Sequence, residues 1–202
     1  MIDWLIVSAF GPELAPLGVP LGEATLGRAR VLLAPVGVGP IAAAAGAASL
    51  LARHEVARVA FVGTAGVLPR AATRFPIGTA VVAGSTTLVD AEVLRGLAER
   101  PDALVDAFAL DARDESTGAR VATTTGITVD HALARTIEEA GFDLEHLELA
   151  GVAAACAAAR RPLSAVLGIS NVVGPEGRAE WRAHHPRASA SAVARLRAWL
   201  DS

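Results

Sequence analysis

The stretch RVLLAPVGVGPIAAAAGAASLLA, residues 30–52, sets the fold class. It begins with an apolar run, Arg30–Val36, whose lack of alternation is typical of a strand covered on both faces. A glycine-rich turn follows, and then Ile41–Ala52, whose alanines and leucines predict a helix. A strand that leads directly into a helix is the repeating unit of an α/β fold.

Short apolar runs and helical stretches alternate on both sides of this unit. The further predicted strands are Trp4–Ser8, Val59–Val62, Thr79–Gly84, Arg120–Thr124, His146–Leu149 and Ala165–Ile169, and the further predicted helices are His131–Ala140, Val152–Ala159 and Ala188–Leu200. We therefore predict a single domain over residues 1–202, folded as a three-layer α/β/α sandwich with a central mixed sheet. In such sheets the ligand binds where the strands reach their carboxyl ends.

The composition excludes several classes of partner. Hydrophobic residues make up 52% of the 202 residues and aromatic residues only 4%, with no Tyr, and the formal net charge is −3. A single-stranded nucleic acid needs aromatic platforms for its bases, and any nucleic acid needs basic residues for its phosphates. We expect no nucleic-acid partner and a small-molecule ligand instead.

The N-terminus and the single cysteine bear on the compartment and on metals. The opening MIDWLIVSAFGPE has no basic segment and no cleavage site, and no apolar run reaches the roughly 20 residues that span a bilayer. Cys156 is alone, so an internal disulfide and a cysteine metal cluster are both excluded. We predict a cytoplasmic protein with no membrane contact, no metal and no cofactor.

The segment Gly37-Val38-Gly39-Pro40-Ile41-Ala42 imitates the GxGxxA fingerprint of dinucleotide-binding proteins. That fingerprint requires an acidic residue about 20 positions further on, at the end of the next strand, to hold the ribose. The next strand ends in Phe61-Val62-Gly63-Thr64 and supplies no acid there. A tight turn between strand and helix is the simpler interpretation, and a nicotinamide enzyme is a weak alternative.

Three polar residues stand at places where chemistry is expected, and each also has a structural explanation. Glu13 follows the first strand and is explained equally by a carboxylate at a helix start. Asn171, with Ser170, ends the last predicted strand and could be a cap or turn residue. Glu148 lies in an apolar segment, where a carboxylate is costly unless it is paired with a ligand or reaches solvent.

Several motifs, taken in order, resemble those of the nucleoside phosphorylase and nucleosidase family. Each is weak alone, but together they extend over nearly the whole chain. They are Ile6-Val7-Ser8-Ala9-Phe10-Gly11-Pro12-Glu13, the turn Gly37-Val38-Gly39-Pro40 before an alanine-rich helix, Gly63-Thr64-Ala65-Gly66, Thr123-Thr124-Thr125-Gly126 and Leu147-Glu148-Leu149-Ala150-Gly151.

The closing segment narrows the resemblance. Residues 169–181, ISNVVGPEGRAEW, are similar to the ISNxVGPRDRxxW stretch of futalosine hydrolases, whereas methylthioadenosine and S-adenosylhomocysteine nucleosidases carry an Asp where this chain has Asn171. The resemblance implies hydrolysis of a purine nucleoside, futalosine giving dehypoxanthine futalosine and hypoxanthine in menaquinone biosynthesis. It also implies a homo-oligomer, a dimer or larger.

The resemblance assigns roles to individual residues. It implies that Glu13 and Asn171 are catalytic, with Glu13 as the general base for water and Asn171 as the hydrogen-bond partner of the departing purine. It implies substrate contacts from Thr64, Ala65, Gly66, Val129, Glu148, Leu149 and Arg178, and the family uses no metal.

The chain departs from the family at the second Glu of V-E-M-E-G, which holds the ribose hydroxyls and which this alignment places on Ala150. Glu176-Gly177 also replaces the acidic-basic pair that usually precedes the Arg. These departures keep open a divergent member that binds a nucleoside without turnover, and another purine nucleosidase. A phosphorylase of the same fold needs a basic phosphate cradle, whereas no Arg precedes Arg28.

Overall fold

The computed structural model describes residues 1–113 and 118–200. Nine strands are described: β1 Ile2–Ser8, β2 Gly22–Leu26, β3 Ala29–Pro35, β4 Val56–Val67, β5 Ala80–Leu88, β6 Ala107–Ala109, β7 Ala119–Thr123, β8 Leu144–His146 and β9 Leu163–Val172. The described α-helices are α1 Pro40–Arg53, α2 Ala91–Leu94, α3 His131–Glu139, α4 Leu149–Ala158 and α5 Gly177–Leu200. The strands alternate with the helices along most of the chain, as the sequence predicts.

The strands form one mixed sheet around β4. Strand β1 is parallel to β3 and to β4, and β9 is parallel to β4 but antiparallel to β5. Strand β4 also pairs with β8, which leads through β7 back to β5. The predicted mixed sheet is confirmed, and it also closes on itself through β4, β9, β5, β7 and β8, which the sequence did not predict.

Helices cover both faces of this sheet, and β1 shows why. Its alternate residues Leu5 and Val7 are packed with the alanines of α1 and α4, whereas Trp4 and Ile6 are packed with α5. Because successive side chains of a strand point to opposite faces, these are two cores on two sides of one sheet. The predicted α/β/α layering is confirmed.

Two predicted boundaries are wrong, and both affect the site. The predicted strand His146–Leu149 ends at His146, because Leu149 already begins α4. The last helix begins at Gly177 rather than Ala188 and continues through Pro186. A proline usually ends a helix, which explains the late predicted start. Helix α5 therefore brings residues 177–181 to the carboxyl end of the sheet.

Two further features of the described residues concern the membrane and the single cysteine. None of the helices in residues 1–113 and 118–200 combines the length and the apolar character that crossing a membrane requires. Cys156 is buried in α4, and burial raises the pKa of its thiol to about 12. A thiol held protonated in this way is a packing residue rather than a nucleophile.

Candidate active site

A cavity of about 430 Å³ opens where β1, β4 and β9 end and α5 begins. That volume is within the range of small-molecule sites. Its lining residues are Ala9, Phe10, Glu13, Val38, Thr64, Ala65, Gly66, Ile127, Glu145, His146, Leu147, Glu148, Ser170, Asn171, Gly177, Arg178 and Trp181. Most of these side chains are apolar or small, so the few polar groups among them define what the cavity can bind.

Glu13 lies at the end of a single 3-10 turn, Gly11–Glu13, and its side chain is 3% exposed. Its Oε1 accepts hydrogen bonds from the backbone N–H of Thr64, at 2.9 Å, and from the Thr64 hydroxyl, at 3.0 Å. Its Oε2 is buried and has no hydrogen-bond partner among the described residues. The carboxylate is thus held through one oxygen at a residue that lines the cavity.

Burial raises the pKa of Glu13 from 4.5 to about 7, because the apolar surroundings disfavour the charged form. The two hydrogen bonds from Thr64 act in the opposite direction, and the negative charge of Glu148 raises the pKa further. A carboxylate with a pKa near the working pH can accept a proton from water and release it again. A carboxylate at a helix start needs no burial, so the burial of Glu13 does not match that structural explanation.

Trp181 connects α5 to this carboxylate. Its indole Nε1–H donates to Thr64 Oγ1 at 3.1 Å, and the Thr64 hydroxyl donates in turn to Glu13 Oε1. The hydroxyl has one hydrogen, so the hydrogen bond it accepts from Trp181 keeps that hydrogen directed at Glu13. The ring of Trp181 also stacks on His185, with centroids 4.4 Å apart.

Glu148 supplies a second carboxylate from a different part of the fold. It immediately precedes α4 and is 5% exposed, and its Oε1 accepts from the backbone N–H of Gly39 at 2.9 Å. Gly39 has a φ of 88°, a conformation that favours glycine. The Gly37-Val38-Gly39-Pro40 turn therefore presents a backbone N–H to a carboxylate of this chain, which accounts for the motif without a dinucleotide.

His146 stands 3.3 Å from Glu148, measured from Nδ1 to Oε2, but the two do not form an ion pair. Nδ1 already accepts the backbone N–H groups of Glu148 and Leu149, so it carries no proton. Burial lowers the pKa of His146, which favours the same neutral form. Glu148 Oε2 therefore keeps its capacity to accept a hydrogen bond from a ligand.

Asn171 ends β9 opposite Gly66 of β4. The Ser170 hydroxyl donates to its Oδ1 at 2.8 Å, and its Nδ2 donates to the Val172 carbonyl at 3.2 Å. The opposite orientation of the amide would bring two oxygens together at Val172, so the carbonyl fixes Nδ2 as the donor. One of the two Nδ2 hydrogens remains for a ligand.

Glycines on β4 leave room for both Glu13 and Asn171. A methyl group at Gly63 would lie 3.4 Å from both carboxylate oxygens of Glu13 and 2.8 Å from the Phe61 ring. A methyl group at Gly66 would lie 2.9 Å from Asn171 Nδ2. The Asn171 amide therefore requires glycine at position 66, whereas the clash at position 63 is with the Phe61 ring and the Glu13 oxygens lie at ordinary contact distance.

The cavity brings together seven of the nine residues that the sequence predicts for the site: Glu13, Thr64, Ala65, Gly66, Glu148, Asn171 and Arg178. The other two are elsewhere. Val129 is 57% exposed, and Leu149 is fully buried in α4, and neither lines the cavity. Ala150 also lies outside the lining, and its N–H is bound to Thr123 Oγ1. Within the segment Leu147-Glu148-Leu149-Ala150-Gly151, the carboxylate that lines the cavity is therefore Glu148.

The sequence reasoning missed three polar lining residues: Glu145, His146 and Trp181. His146 begins the predicted apolar strand and Glu145 directly precedes it, so two ionisable residues in succession at the start of this strand were a usable signal. Trp181 was part of the quoted closing motif, but its contact with Thr64 spans 117 residues and has no local signature. Among the described residues, no group of three or more His, Cys, Asp or Glu side chains could hold a metal ion.

A futalosine hydrolase of Streptomyces coelicolor is 35% identical to this chain over 187 residues, which cover 84% of this chain and 80% of that protein. The chain belongs to the futalosine hydrolase family. This places it in the nucleoside phosphorylase and nucleosidase superfamily that the sequence motifs indicate. No family model matches the chain.

Solved structures with this fold include other members of the superfamily. The futalosine hydrolase of Helicobacter pylori superposes with a TM-score of 0.80 at 17% identity, covering 99% of this chain and 98% of that one. The 5'-methylthioadenosine/S-adenosylhomocysteine nucleosidase of Neisseria meningitidis, in complex with methylthio-immucillin-A, gives a TM-score of 0.82 at 18% identity and covers 100% and 99%. At these identities the likeness shows a shared fold.

The raised pKa of Glu13 predicts a pH-dependent stability in this futalosine hydrolase family member. The native state holds the Glu13 proton up to about pH 7, whereas the unfolded chain loses it near 4.5. Stability therefore falls as pH rises between these values and levels off above them, by roughly 3 kcal/mol at most. Glu13→Gln removes this loss, so the free energy of unfolding of the variant relative to wild type should increase from pH 4.5 to pH 8.

Urea unfolding across that pH range measures the difference. Glu99→Gln, at an exposed carboxylate, is the matched control and should show no such trend. A difference between Glu13→Gln and wild type that stays constant with pH would mean that the Glu13 carboxylate titrates at its ordinary value.

Proposed function

We propose that this protein hydrolyses the N-glycosidic bond of a purine nucleoside, and that the nucleoside is futalosine, giving dehypoxanthine futalosine and hypoxanthine. The observation that carries this is the Glu13 carboxylate, buried in the cavity with Oε2 unpartnered among the described residues. The family of the chain supports the choice of substrate. We place the reaction in the cytoplasm, as a step of menaquinone biosynthesis.

Glu13 would act as the general base. A water molecule bound at Oε2 attacks C1′ of the sugar and passes a proton to the carboxylate, while the bond between C1′ and the purine nitrogen breaks. The electron pair of that bond leaves with the base. The transition state has oxocarbenium character, as in other glycosyl hydrolysis, so a carboxylate near C1′ also stabilises the positive charge on the sugar.

Asn171 would stabilise the departing base. Its Nδ2 has a hydrogen available and can donate to N7 or O6 of the purine, where negative charge accumulates as the bond breaks. Because an amide cannot transfer a proton, this contact acts through hydrogen bonding alone. It suits a 6-oxopurine, which carries acceptors at both positions.

Glu148 would hold the ribose hydroxyls. Its Oε1 is bound to Gly39, and its Oε2 remains free to accept from a hydroxyl because His146 Nδ1 has no proton to offer. The ribose acceptor that the motif alignment placed at Ala150 is therefore supplied from two residues earlier. Glu13 and Glu148 would then contact the same sugar, since the charge of Glu148 is felt at Glu13.

Arg178 would bind the acidic tail of the substrate. It lines the cavity from the first turn of α5 and is exposed to solvent, so it stands at the mouth rather than the floor. A guanidinium binds a carboxylate through two parallel hydrogen bonds, which suits a substrate with a carboxylate far from the base.

Three alternatives remain distinguishable from this proposal. A phosphorylase would need several cations, whereas Arg178 and the neutral His146 are the basic residues among those lining the cavity. A methylthioadenosine-type nucleosidase is less favoured because Asn171 replaces the Asp of that group. A non-catalytic nucleoside-binding protein would not need a buried carboxylate with a pKa of about 7.

A homo-oligomer, most simply a dimer, is the assembly we propose. Exposed apolar side chains surround the cavity mouth: Val38 is 63% exposed, Ile41 at the start of α1 is 86% exposed, and Ile127 is 49% exposed. Apolar groups concentrated at one edge are typical of a contact between protein chains.

The absence of a cation cluster in the lining predicts that water, and not phosphate, is the acceptor. Futalosine incubated in phosphate-free buffer should release free hypoxanthine, and added phosphate should not increase the rate. Chromatography of the products distinguishes a free sugar from a sugar 1-phosphate. Strict dependence on phosphate would identify a phosphorylase, and binding without any release of base would identify a non-catalytic protein.

The position of Glu148 predicts a large effect of the 2′-hydroxyl. A hydrogen bond from a hydroxyl to a charged acceptor contributes about 1.5–3 kcal/mol, so kcat/KM should fall roughly 10- to 100-fold on a 2′-deoxy substrate. The Glu148→Ala variant should discriminate far less between the two substrates, because its acceptor is gone. Glu176→Gln, at an exposed residue outside the cavity lining, is the control and should keep the wild-type ratio. If wild type itself is indifferent to the 2′-hydroxyl, Glu148 does not bind the ribose.

A further inference from the structure

Glu145 is a buried carboxyl group in the cavity for which the mechanism above has no use. It belongs to β8, is 7% exposed and lines the cavity. Its Oε1 accepts from the backbone N–H of Thr128 at 3.1 Å, and its Oε2 is buried without a hydrogen-bond partner among the described residues. A buried oxygen left in this way is costly unless a ligand pairs with it.

The sheet register places Glu145 beside Asn171. Gly66 of β4 pairs with Glu145 of β8 on one side and with Asn171 of β9 on the other. The register of β4 with β9 shifts between Ala65 and Gly66, and beyond this irregularity Glu145 and Asn171 flank Gly66 on its two sides and both line the cavity. Since strands lie about 4.8 Å apart, the two Cα atoms are roughly 10 Å apart, with a residue that has no side chain between them.

The polar groups at this place form a donor beside an acceptor. Asn171 Nδ2 lies close to Gly66, and its hydrogen bond to the Val172 carbonyl identifies it as the donor end of the amide. Glu145 Oε2, when ionised, accepts. The edge of a 6-oxopurine presents O6, an acceptor, next to N1–H, a donor, and this is the complementary pattern. A 6-aminopurine presents the reverse, with a donor at N6 and an acceptor at N1.

We propose that Glu145 accepts the N1–H of the purine while Asn171 donates to its O6 or N7, so that the two residues together select a 6-oxopurine over a 6-aminopurine. This inference rests on the proposed function and adds a residue that determines its specificity. Glu145 contacts the base, whereas Glu13 serves the sugar carbon. Glu145 pairs with Gly66 of β4. Glu13 contacts Gly63 and Thr64 of the same strand, two to three residues away.

The protonation state of Glu145 gives the proposal a distinctive signature. Burial raises its pKa, and the hydrogen bond from Thr128 acts in the opposite direction. Hypoxanthine requires the ionised carboxylate as acceptor, so its affinity should increase as pH rises through that pKa. Adenine can accept a proton at N1 only from the neutral acid, so its affinity should decrease.

The ratio of the two affinities is independent of the actual pKa. It follows the ratio of ionised to neutral Glu145, which changes tenfold per pH unit, so the preference for hypoxanthine should increase at a rate approaching about tenfold per pH unit. The other titratable or charged residues of the lining are Glu13, His146, Glu148 and Arg178, and Asp130 and His131 stand at the start of α3. In the proposed binding mode none of them contacts the base, so we expect each to affect both ligands alike.

Calorimetric binding of free hypoxanthine and free adenine between about pH 5.5 and 7.5 tests this linkage. The background is Glu13→Gln, which removes a second carboxyl group of the lining, whose pKa of about 7 lies in that range. Adding Glu145→Gln should abolish the pH dependence of the ratio, because an amide offers both a donor and an acceptor at every pH. Adding Glu99→Gln instead, at an exposed carboxylate outside the cavity lining, is the matched control and should leave the dependence in place.

Each result decides the question. A ratio that increases with pH and becomes flat with Glu145→Gln supports the proposal. A flat ratio while Glu145 is present overturns it even if Glu145→Gln does not fold, and so does a dependence that survives Glu145→Gln. Binding of hypoxanthine with a flat ratio removes this inference alone, whereas failure of both bases to bind removes the proposed purine nucleoside function as well.

Discussion

The site depends on one unfavourable burial, that of the Glu13 carboxylate. Burial raises the pKa of this carboxyl group to about 7, even though Thr64 donates two hydrogen bonds to Oε1 and the backbone of Ala9 also acts to lower the pKa. The surrounding structure serves this arrangement. Strand β4 provides Thr64 and the space above Gly63, and α5 provides Trp181, which fixes the Thr64 hydroxyl. A carboxylate that was fully paired would be more stable and a weaker base.

The same solution recurs at the other carboxyl groups of the cavity. Glu148 is bound through one oxygen to Gly39, and Glu145 through one oxygen to Thr128. In each case a backbone N–H binds one carboxylate oxygen, and the second oxygen of Glu13 and of Glu145 is buried without a hydrogen-bond partner among the described residues. Rigid backbone donors of this kind orient a site without side-chain reorganisation, which is what selective binding and catalysis both require.

The sequence predicted the parts of the fold that have a local signal. The glycine-rich turn after Arg30–Val36 and the layered sheet follow from apolar runs and glycines, and the structure confirms them. Glu13, Asn171 and Gly63-Thr64-Ala65-Gly66 could be found because each lies near the carboxyl end of a predicted strand. Glu148 was predicted inside a strand but lies immediately before α4, because an apolar segment does not reveal where a strand ends and a helix begins.

Other parts of the site depend on contacts between distant residues and have no local signal. The Trp181–Thr64 hydrogen bond spans 117 residues, and Glu145 meets Asn171 only through the register of three strands. Pro186 concealed the early start of α5, which delivers both Arg178 and Trp181. Val129 and Leu149 were predicted to contact the substrate, but Val129 is exposed and Leu149 is packed in the core. Successive residues of a turn or a helix point in different directions, so the sequence did not show that these two side chains miss the cavity.

Glu13 is proposed as the base that activates water. A single-turnover measurement of purine release by the Glu13→Gln variant tests this role most directly. With enzyme in excess, the rate constant should fall about 10²–10⁴-fold relative to wild type, because the amide cannot accept the proton. The dissociation constant of the substrate should change little, since the amide oxygen can still accept the hydrogen bonds from Thr64. Release at the wild-type rate would contradict the account and leave Glu13 a structural residue.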